Sequence, residues 1–422
     1  MIVRDLIVIA GGQGTRISAH FPGLPKLLLP VAGKTVFEHL ICEIPFARLF
    51  LSLGFGSEKV VSFLDDHKIN GEYSIESKPL GSFGGLKSTV VKFRESLSQD
   101  IIVILGDVFV FDLMTDIRNI HSDRNSVLYS KNDHPFDSDR VIVKANGCVT
   151  GLIPKTSSIT SEFINTTVSG LYVFRKKDIL ESPLSEGDIG MDFLPMLIEK
   201  GDVEAVRLTG VMKDVGSIER LNKIDRLYSM SAFANGAAIR TKRAAFFDLD
   251  GTIIWDRGSK MRSELQHIEL IQGISEVIKL CNINLIPVII VSNQGDLAKG
   301  FKTKAELDED FLQLEYILAQ SGIWVDDFFY CPHHPDKGFQ GEVEELKVIC
   351  DCRKPRVGLF DQAHKKWNIN ARKSVMFGNT PSDKAFSDNV GMGHYFSIDQ
   401  ESFPYQHDYQ KRIKQYLSDL TR

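Results

Sequence analysis

No stretch of this 422-residue chain is apolar for long enough to span a bilayer. The first apolar run, Leu6–Ala10, is too short for the core of a signal peptide, and no cleavage site follows it. The expectation is a cytoplasmic protein with no membrane partner. Basic residues are not in excess either: 50 lysines and arginines face 55 aspartates and glutamates, for a net charge of −5. That argues against a broad nucleic-acid surface, so any affinity for phosphate must be local. Cysteine is sparse, at six residues, and in a reducing compartment Cys42, Cys148, Cys281, Cys331, Cys350 and Cys352 are not expected to form disulfides. There is no biased tract and no internal repeat. The chain also lacks a Gly-Lys-Ser/Thr phosphate loop and a dinucleotide-binding fingerprint.

The length exceeds what one hydrophobic core usually supports, so two domains are expected. Short apolar runs at Leu6–Ala10, Ile101–Leu105, Leu171–Phe174, Ala244–Asp248, Val288–Val291 and Val375–Phe377 read as buried parallel strands. Between them, Thr35–Cys42, Lys59–Asp66, Gly85–Phe93, Ile268–Leu280 and Lys304–Gln320 carry helical spacing. This alternation predicts an α/β fold with two Rossmann-like sheets. The boundaries read as a first domain over 1–231, a small polar linker over 232–242, a second domain over 243–400 and a helical tail over 401–422.

The first domain opens with Ala10-Gly11-Gly12-Gln13-Gly14-Thr15-Arg16 directly after a predicted strand. Bare glycines let backbone N–H groups approach phosphate oxygens, although a plain tight turn explains such a run equally well. Arg16 and Lys26 supply positive charge for phosphate. Asp107 ends a predicted strand, where open α/β sheets bind ligands, and Asp214 precedes a glycine. Two such carboxylates could share Mg²⁺, which prefers oxygen ligands; alone, Asp107 reads more readily as a turn or helix-capping residue.

Together with Pro25-Lys26, Leu80-Gly81-Ser82-Phe83-Gly84-Gly85, Gly106-Asp107 and Asp214-Val215-Gly216, this opening resembles the sugar-1-phosphate nucleotidyltransferases over about residues 5–230. The resemblance implies that Gly11, Gly12, Gly14 and Arg16 hold a triphosphate. It implies that Lys26 supports the reacting phosphates, that Gly81 and Gly84 lie near the base, and that Asp107 and Asp214 bind Mg²⁺. Direct in-line transfer by positioning and charge neutralisation is expected. The chain departs from the family at Pro154-Lys155 and Val168-Ser169-Gly170, positions that usually touch the sugar. Lys155 remains to reach the sugar phosphate.

The second domain begins with Phe247-Asp248-Leu249-Asp250-Gly251-Thr252. An i, i+2 pair on extended backbone projects to one side, so one carboxylate can attack phosphorus while the other handles protons. Ser292 and Asn293 end another predicted strand, Lys354 supplies a cation, and Asn379 to Asp383 supply late oxygen ligands. The ordered set is similar to the haloacid dehalogenase phosphatases over about residues 243–397. That implies Asp248 as nucleophile and Asp250 as acid and base, with Ser292, Asn293 and Lys354 on the phosphate. Mg²⁺ would sit on Asp248, Asp250 (through its backbone carbonyl), Asn379 and Asp383. Asn379 stands where the superfamily usually has Asp, which predicts weaker Mg²⁺ binding.

Cys331 and His333, with Cys350 and Cys352 nineteen positions further on, match a closed tetrahedral Zn²⁺ site of structural type. Such a site would set Arg353 and Lys354 at the active-site rim, in reach of substrate phosphate. Cys331-Pro332-His333-His334-Pro335 and Cys350-Asp351-Cys352-Arg353-Lys354-Pro355 resemble the D-glycero-D-manno-heptose 1,7-bisphosphate 7-phosphatases and the related histidinol-phosphate phosphatases. The partner domain favours the former. The combined expectation is a bifunctional enzyme that removes the C7 phosphate and then joins heptose 1-phosphate to GMP from GTP. The rivals are a hexose-1-phosphate nucleotidyltransferase fused to a histidinol-phosphate-type or other sugar phosphatase, and a nucleotide-binding regulatory domain on a phosphatase.

Overall fold

The computed structural model describes residues 4–12, 17–118, 120, 124–144, 146–155, 165–230, 241–256 and 268–419. Gly14, Arg16 and most of the expected linker lie outside these residues. The chain divides into two compact units, one made of most residues up to Ser229 and the other chiefly of Met230–Arg422.

The strands of the first unit are β1 (Asp5–Ala10), β2 (Pro30–Val31), β3 (Lys34–Thr35), β4 (Leu49–Leu53), β5 (Glu72–Ile75), β6 (Asp100–Leu105), β7 (Val108–Phe111), β8 (Asn125–Ser130), β9 (Arg140–Val143), β10 (Val149–Ile153), β11 (Thr167–Arg175), β12 (Val203–Arg207) and β13 (Val211–Asp214). Nine of them form one mixed sheet in which β5, β4, β1 and β6 run parallel. β1 lies between β4 and β6, so the chain leaves it to one side and returns on the other, which opens a crevice at its C-terminal end. Leu171–Phe174 lies in β11 and runs antiparallel to β6, not parallel as expected, with Leu171 opposite Ile104 and Phe174 opposite Ile101. Its side chains are buried on both faces, and a fully apolar run looks the same in either direction. β7 and β13 make a separate two-stranded ribbon that pairs Asp214 with Val108.

The second unit holds β14 (Ala245–Phe247), β15 (Val288–Asn293), β16 (Asp327–Cys331), β17 (Val375–Gly378) and β18 (His394–Ser397), in the order β16-β15-β14-β17-β18. All neighbours are parallel. Alternation splits the strand residues between two cores. Ala245, Phe247, Ile290 and Phe377 pack with one helical layer, and Phe246, Ile289, Val291 and Met376 with the other. Full burial of each such phenylalanine contributes about 1.5–3 kcal/mol.

Helix starts follow local chemistry. Thr303 with Glu306, and Thr380 with Asp383, form reciprocal caps in which side chain and backbone satisfy each other. The helix expected from Ile268 begins instead at Ile274, after Gly273 at φ 91°. The residues before it pair with the loop after β14: Trp255 N–H donates to the Glu269 carbonyl and Ile271 N–H to that of Ile253. The tail forms a helix, His407–Asp419, whose Ile413 and Leu417 complete the core beside the helix Ile274–Ile283. No helix among the described residues is long and apolar enough to cross a membrane.

Candidate active sites

In the second unit the central strand β14 delivers Asp248 to the crevice. Its N–H donates to the Phe377 carbonyl at 2.9 Å, extending the β14–β17 ladder by one residue and fixing the side chain at the sheet's edge. The turn that follows needs Gly251 at φ 74°, because a Cβ there would lie 2.1 Å from the Asn379 amide nitrogen. The Thr252 hydroxyl reaches the Asn379 side-chain oxygen at 3.3 Å. Lys354 points into the same space, with its Nζ 2.7 Å from Asp248 Oδ1 and 2.6 Å from Asp383 Oδ1.

The electrostatics are those of a nearly sealed site. The Lys354 side chain is 2% exposed and that of Asp383 1%. Burial pushes the Asp248 carboxyl up to about 7; Lys354 opposes the shift, and Asp383 and Asp250 add to it. Burial also works against the charge on Lys354, but the two carboxylates together outweigh it and raise its pKa. Asp383 uses its other oxygen on its own helix, accepting from the Thr380 hydroxyl at 2.7 Å and from the N–H groups of Asn379 and Thr380. The structure therefore gives Asp383 a cap and a lysine to hold. Asp248, Asp250, Asp383 and Asn379 converge on a cavity of about 570 Å³ against Lys354 and Arg353, a donor set suited to a hard divalent cation.

Ser292, the penultimate residue of β15, is 1% exposed and lines this cavity. Asn293 lines it too, while its side chain clamps the Lys354 backbone in both directions, accepting from Lys354 N–H at 2.9 Å and donating to its carbonyl at 3.1 Å. Arg353 donates to the His333 carbonyl at 3.0 Å. Gln294, the residue after Ser292 and Asn293, is buried in the wall and donates to Asp250 Oδ2 at 3.0 Å. Asp256, Asp296 and Lys302 also line the cavity, and no residue pattern singles them out.

The donor atoms of Cys331, His333, Cys350 and Cys352 lie within 4.8 Å of one another. Sulfur–sulfur separations of 3.4 Å for Cys331–Cys350 and 3.3 Å for Cys350–Cys352 are close to the edge of a tetrahedron with bonds of about 2.3 Å. Burial pushes the Cys331 thiol up, so binding a metal there would release a proton. The set suits a soft divalent ion with no open position.

In the first unit a cavity of about 290 Å³ opens at the C-terminal ends of β1 and β6. Gly11, Gly12, Lys26, Gly81 and Asp107 line it. Lys26 Nζ lies 2.7 Å from Asp107 Oδ2, with side chains 22% and 30% exposed. Val215 N–H donates to the Asp107 carbonyl, so the backbones of Asp107 and Asp214 are adjacent. Their carboxylates serve different cations: Asp214 Oδ1 pairs with Arg220 at 2.9 Å and is absent from the lining. Gly81, at φ 79°, starts the helix Gly81–Lys92, and a Cβ on it would meet the Gly187 carbonyl at 2.3 Å. Gly84 is buried one turn on, against Leu80 and Glu186, and does not line the cavity. Lys155 is exposed, and its N–H donates to Asp139.

Glu76 carried no pattern in the sequence. It follows β5 and lines this cavity, and its Oε1 lies where a Cβ on Gly85 would stand 2.3 Å away and one on Gly11 3.2 Å away. Two glycines therefore leave room for this carboxylate. Burial raises its pKa, opposed by the Leu80 N–H that donates to it at 3.3 Å.

These features define a two-unit α/β protein with two strand-end crevices, one built around a buried carboxylate paired with a lysine and the other around two glycines and a lysine. Comparison with known proteins supplies the families. The nucleotidyl transferase model matches residues 6–230, and the polynucleotide kinase 3 phosphatase model residues 243–388. The D-glycero-beta-D-manno-heptose-1,7-bisphosphate 7-phosphatase of Escherichia coli (strain K12) is 34% identical over 150 residues, covering 35% of this chain and 75% of that protein. The bifunctional protein GlmU of Methanococcus maripaludis (strain C5) is 32% identical over 222 residues, 50% of this chain and 51% of GlmU, so the chain spans about half the length of that relative. The crystal structure of HddC from Yersinia pseudotuberculosis has a TM-score of 0.45 at 23% identity, over 54% of this chain and 100% of HddC. The chain belongs to the nucleotidyl transferase family through its first unit and to the heptose-1,7-bisphosphate 7-phosphatase family through its second.

Proposed function

We propose that this is a bifunctional enzyme of GDP-heptose synthesis. Its second unit removes the C7 phosphate of D-glycero-D-manno-heptose 1,7-bisphosphate. Its first unit transfers GMP from GTP to the resulting heptose 1-phosphate and releases pyrophosphate. The observation that carries this reading is the joining of a heptose-bisphosphate phosphatase domain to a nucleotidyl transferase domain in one chain. One domain's product is then the other's substrate. The reading includes a cytoplasmic location and no nucleic-acid or membrane partner, in keeping with a net charge of −5.

In the phosphatase, Asp248 attacks phosphorus while Asp250 gives a proton to the leaving sugar oxygen. Asp250 then takes a proton from water as the aspartyl-phosphate is hydrolysed. Lys354 holds Asp248 in place and, with Ser292, receives the phosphate oxygens. Mg²⁺, held by Asp248, the Asp250 carbonyl and Asn379, would neutralise phosphate charge. Cys331, His333, Cys350 and Cys352 would hold Zn²⁺, which would order the loop that carries Arg353 and Lys354.

In the transferase, the backbone at Gly11 and Gly12 meets the triphosphate and Lys26 its reacting phosphates, and Asp107, beside Lys26, would hold Mg²⁺. Glu76 supports guanine as the base. A carboxylate only accepts hydrogen bonds, and guanine presents two adjacent donors, N1–H and N2–H, on one edge. Adenine and cytosine offer one amino group beside an acceptor, and uracil one N–H between two carbonyls.

The test is incubation with heptose 1,7-bisphosphate, Mg²⁺ and each of the four NTPs, read by mass spectrometry. GDP-heptose formed from GTP is expected. Turnover of hexose 1-phosphates with equal efficiency would overturn the heptose assignment.

A further inference from the structure

Gln294 is 5% exposed and sits in the wall of the phosphatase cavity. Its side-chain nitrogen donates to Asp250 Oδ2 at 3.0 Å and to Ser292 Oγ at 2.9 Å. The acceptors fix the orientation of the amide, because a carboxylate oxygen can only accept, so the NH₂ end must face it. Its backbone N–H donates to the Cys331 carbonyl at 2.8 Å, which anchors the residue to the end of β16. The amide therefore has a fixed place and both of its hydrogens are assigned.

We propose that Gln294 is a positioning residue that sets the direction of two hydrogen bonds needed for phosphoryl transfer. This rests on the phosphatase reading above. With the amide donating to Oδ2, the proton that Asp250 gives the leaving oxygen in the reading above is exchanged through Oδ1. When Asp248 forms its bond to phosphorus and the P–O bond to the sugar breaks, that proton passes from Oδ1 to the leaving oxygen. The attacking water later returns a proton to the same atom as the Asp248–phosphorus bond is cleaved. The second N–H occupies a lone pair of Ser292 Oγ, so the serine's own hydrogen turns away from Gln294 and is available to a phosphate oxygen.

A role that is only structural would impair all substrates alike. A role in directing the proton matters most when the leaving group is a poor one. The test uses the full chain with Mg²⁺ and compares kcat/KM for heptose 1,7-bisphosphate with that for p-nitrophenyl phosphate, whose leaving group needs no proton. Gln294→Met keeps the length and removes the donors. It is expected to lower kcat/KM about 100-fold on the sugar ester and less than about fivefold on the aryl ester. Gln294→Glu, which sets a second acceptor against Asp250, is expected to give the same split. If neither variant shows a split, whether both esters fall together or neither falls, the proposal is overturned. Asp250→Asn separates the two levels of inference. A split there with none in the Gln294 variants leaves the acid–base reading intact and removes Gln294 from it. No split in Asp250→Asn removes both.

Discussion

The two crevices, both proposed to handle phosphate, differ in burial. In the second unit Lys354 and Asp383 are 2% and 1% exposed, and Asp248 is forced toward its neutral form. In the first unit Lys26 and Asp107 are 22% and 30% exposed. A carboxylate that must attack phosphorus gains from a dry, preorganised setting. A site where the substrate itself is the nucleophile needs only donors aimed at the phosphates, and can stay open to a triphosphate. The contrast shows why one site is built on the strand-tip carboxylates and the other on a glycine loop.

The largest test of that contrast is Asp248→Asn. Loss of the nucleophile should lower phosphate release on the order of 10⁴-fold or more, while pyrophosphate release from GTP and heptose 1-phosphate stays within about twofold of wild type. A comparable fall in both activities would show that the two crevices do not work separately. Next comes stability. Lys354→Ala leaves two buried carboxylates without their cation and should destabilise the second unit by about 3–5 kcal/mol. Lys26→Ala breaks a partly exposed pair and should cost about 0–1 kcal/mol. All three tryptophans, Trp255, Trp324 and Trp367, lie in the second unit, so denaturation followed by tryptophan fluorescence reads that unit alone. Equal midpoints for Lys354→Ala and wild type would refute the burial argument.

A smaller effect concerns pH. Asp248 is raised to about 7 in the folded protein, from the usual carboxyl value of about 3.9. The folded, metal-free state therefore holds a proton that the unfolded chain has lost. Its stabilising contribution is complete below about pH 4 and disappears as pH rises through about 7. Mg²⁺ needs the carboxylate, so its Kd should weaken about tenfold per unit below pH 7 and level off above it. Calorimetry in buffers of different ionisation enthalpy should detect the released proton. A Kd that does not change between pH 5.5 and 7.5 would contradict the burial of Asp248. The smallest effect is expected from Asn379→Asp, which adds one charge beside Asp248 and should tighten Mg²⁺ by about three- to tenfold. An unchanged Mg²⁺ dependence of hydrolysis would remove position 379 from the metal site.

Much of this was legible because phosphate chemistry requires particular residue types at the ends of apolar strands. Asp248, Ser292 and Lys354 stand at or beside predicted strand tips or in a marked motif, and the structure gathers them in one cavity. The Cys-His cluster was equally plain, since soft donors at short spacing have few other uses. Asp214 was harder. Its spacing suits a metal ligand, but only the fold places Arg220 next to it. Glu76 had no signature, because a single Glu after a strand is common, and the role of Gln294, next to Ser292 and Asn293, likewise gains meaning only from its neighbours.

The amino-acid sequence by itself determined the class of fold, the two strand-end motifs and the spacing of the Cys-His cluster. Each of these depends on local periodicity, or on residue types that chemistry rarely uses otherwise. The tertiary structure alone decided the antiparallel direction of β11, the docking of the terminal helix onto the second core, the double pairing of Lys354 and the room left for Glu76 by Gly11 and Gly85. Those depend on contacts between residues far apart in the chain, and no local pattern encodes which distant groups will meet.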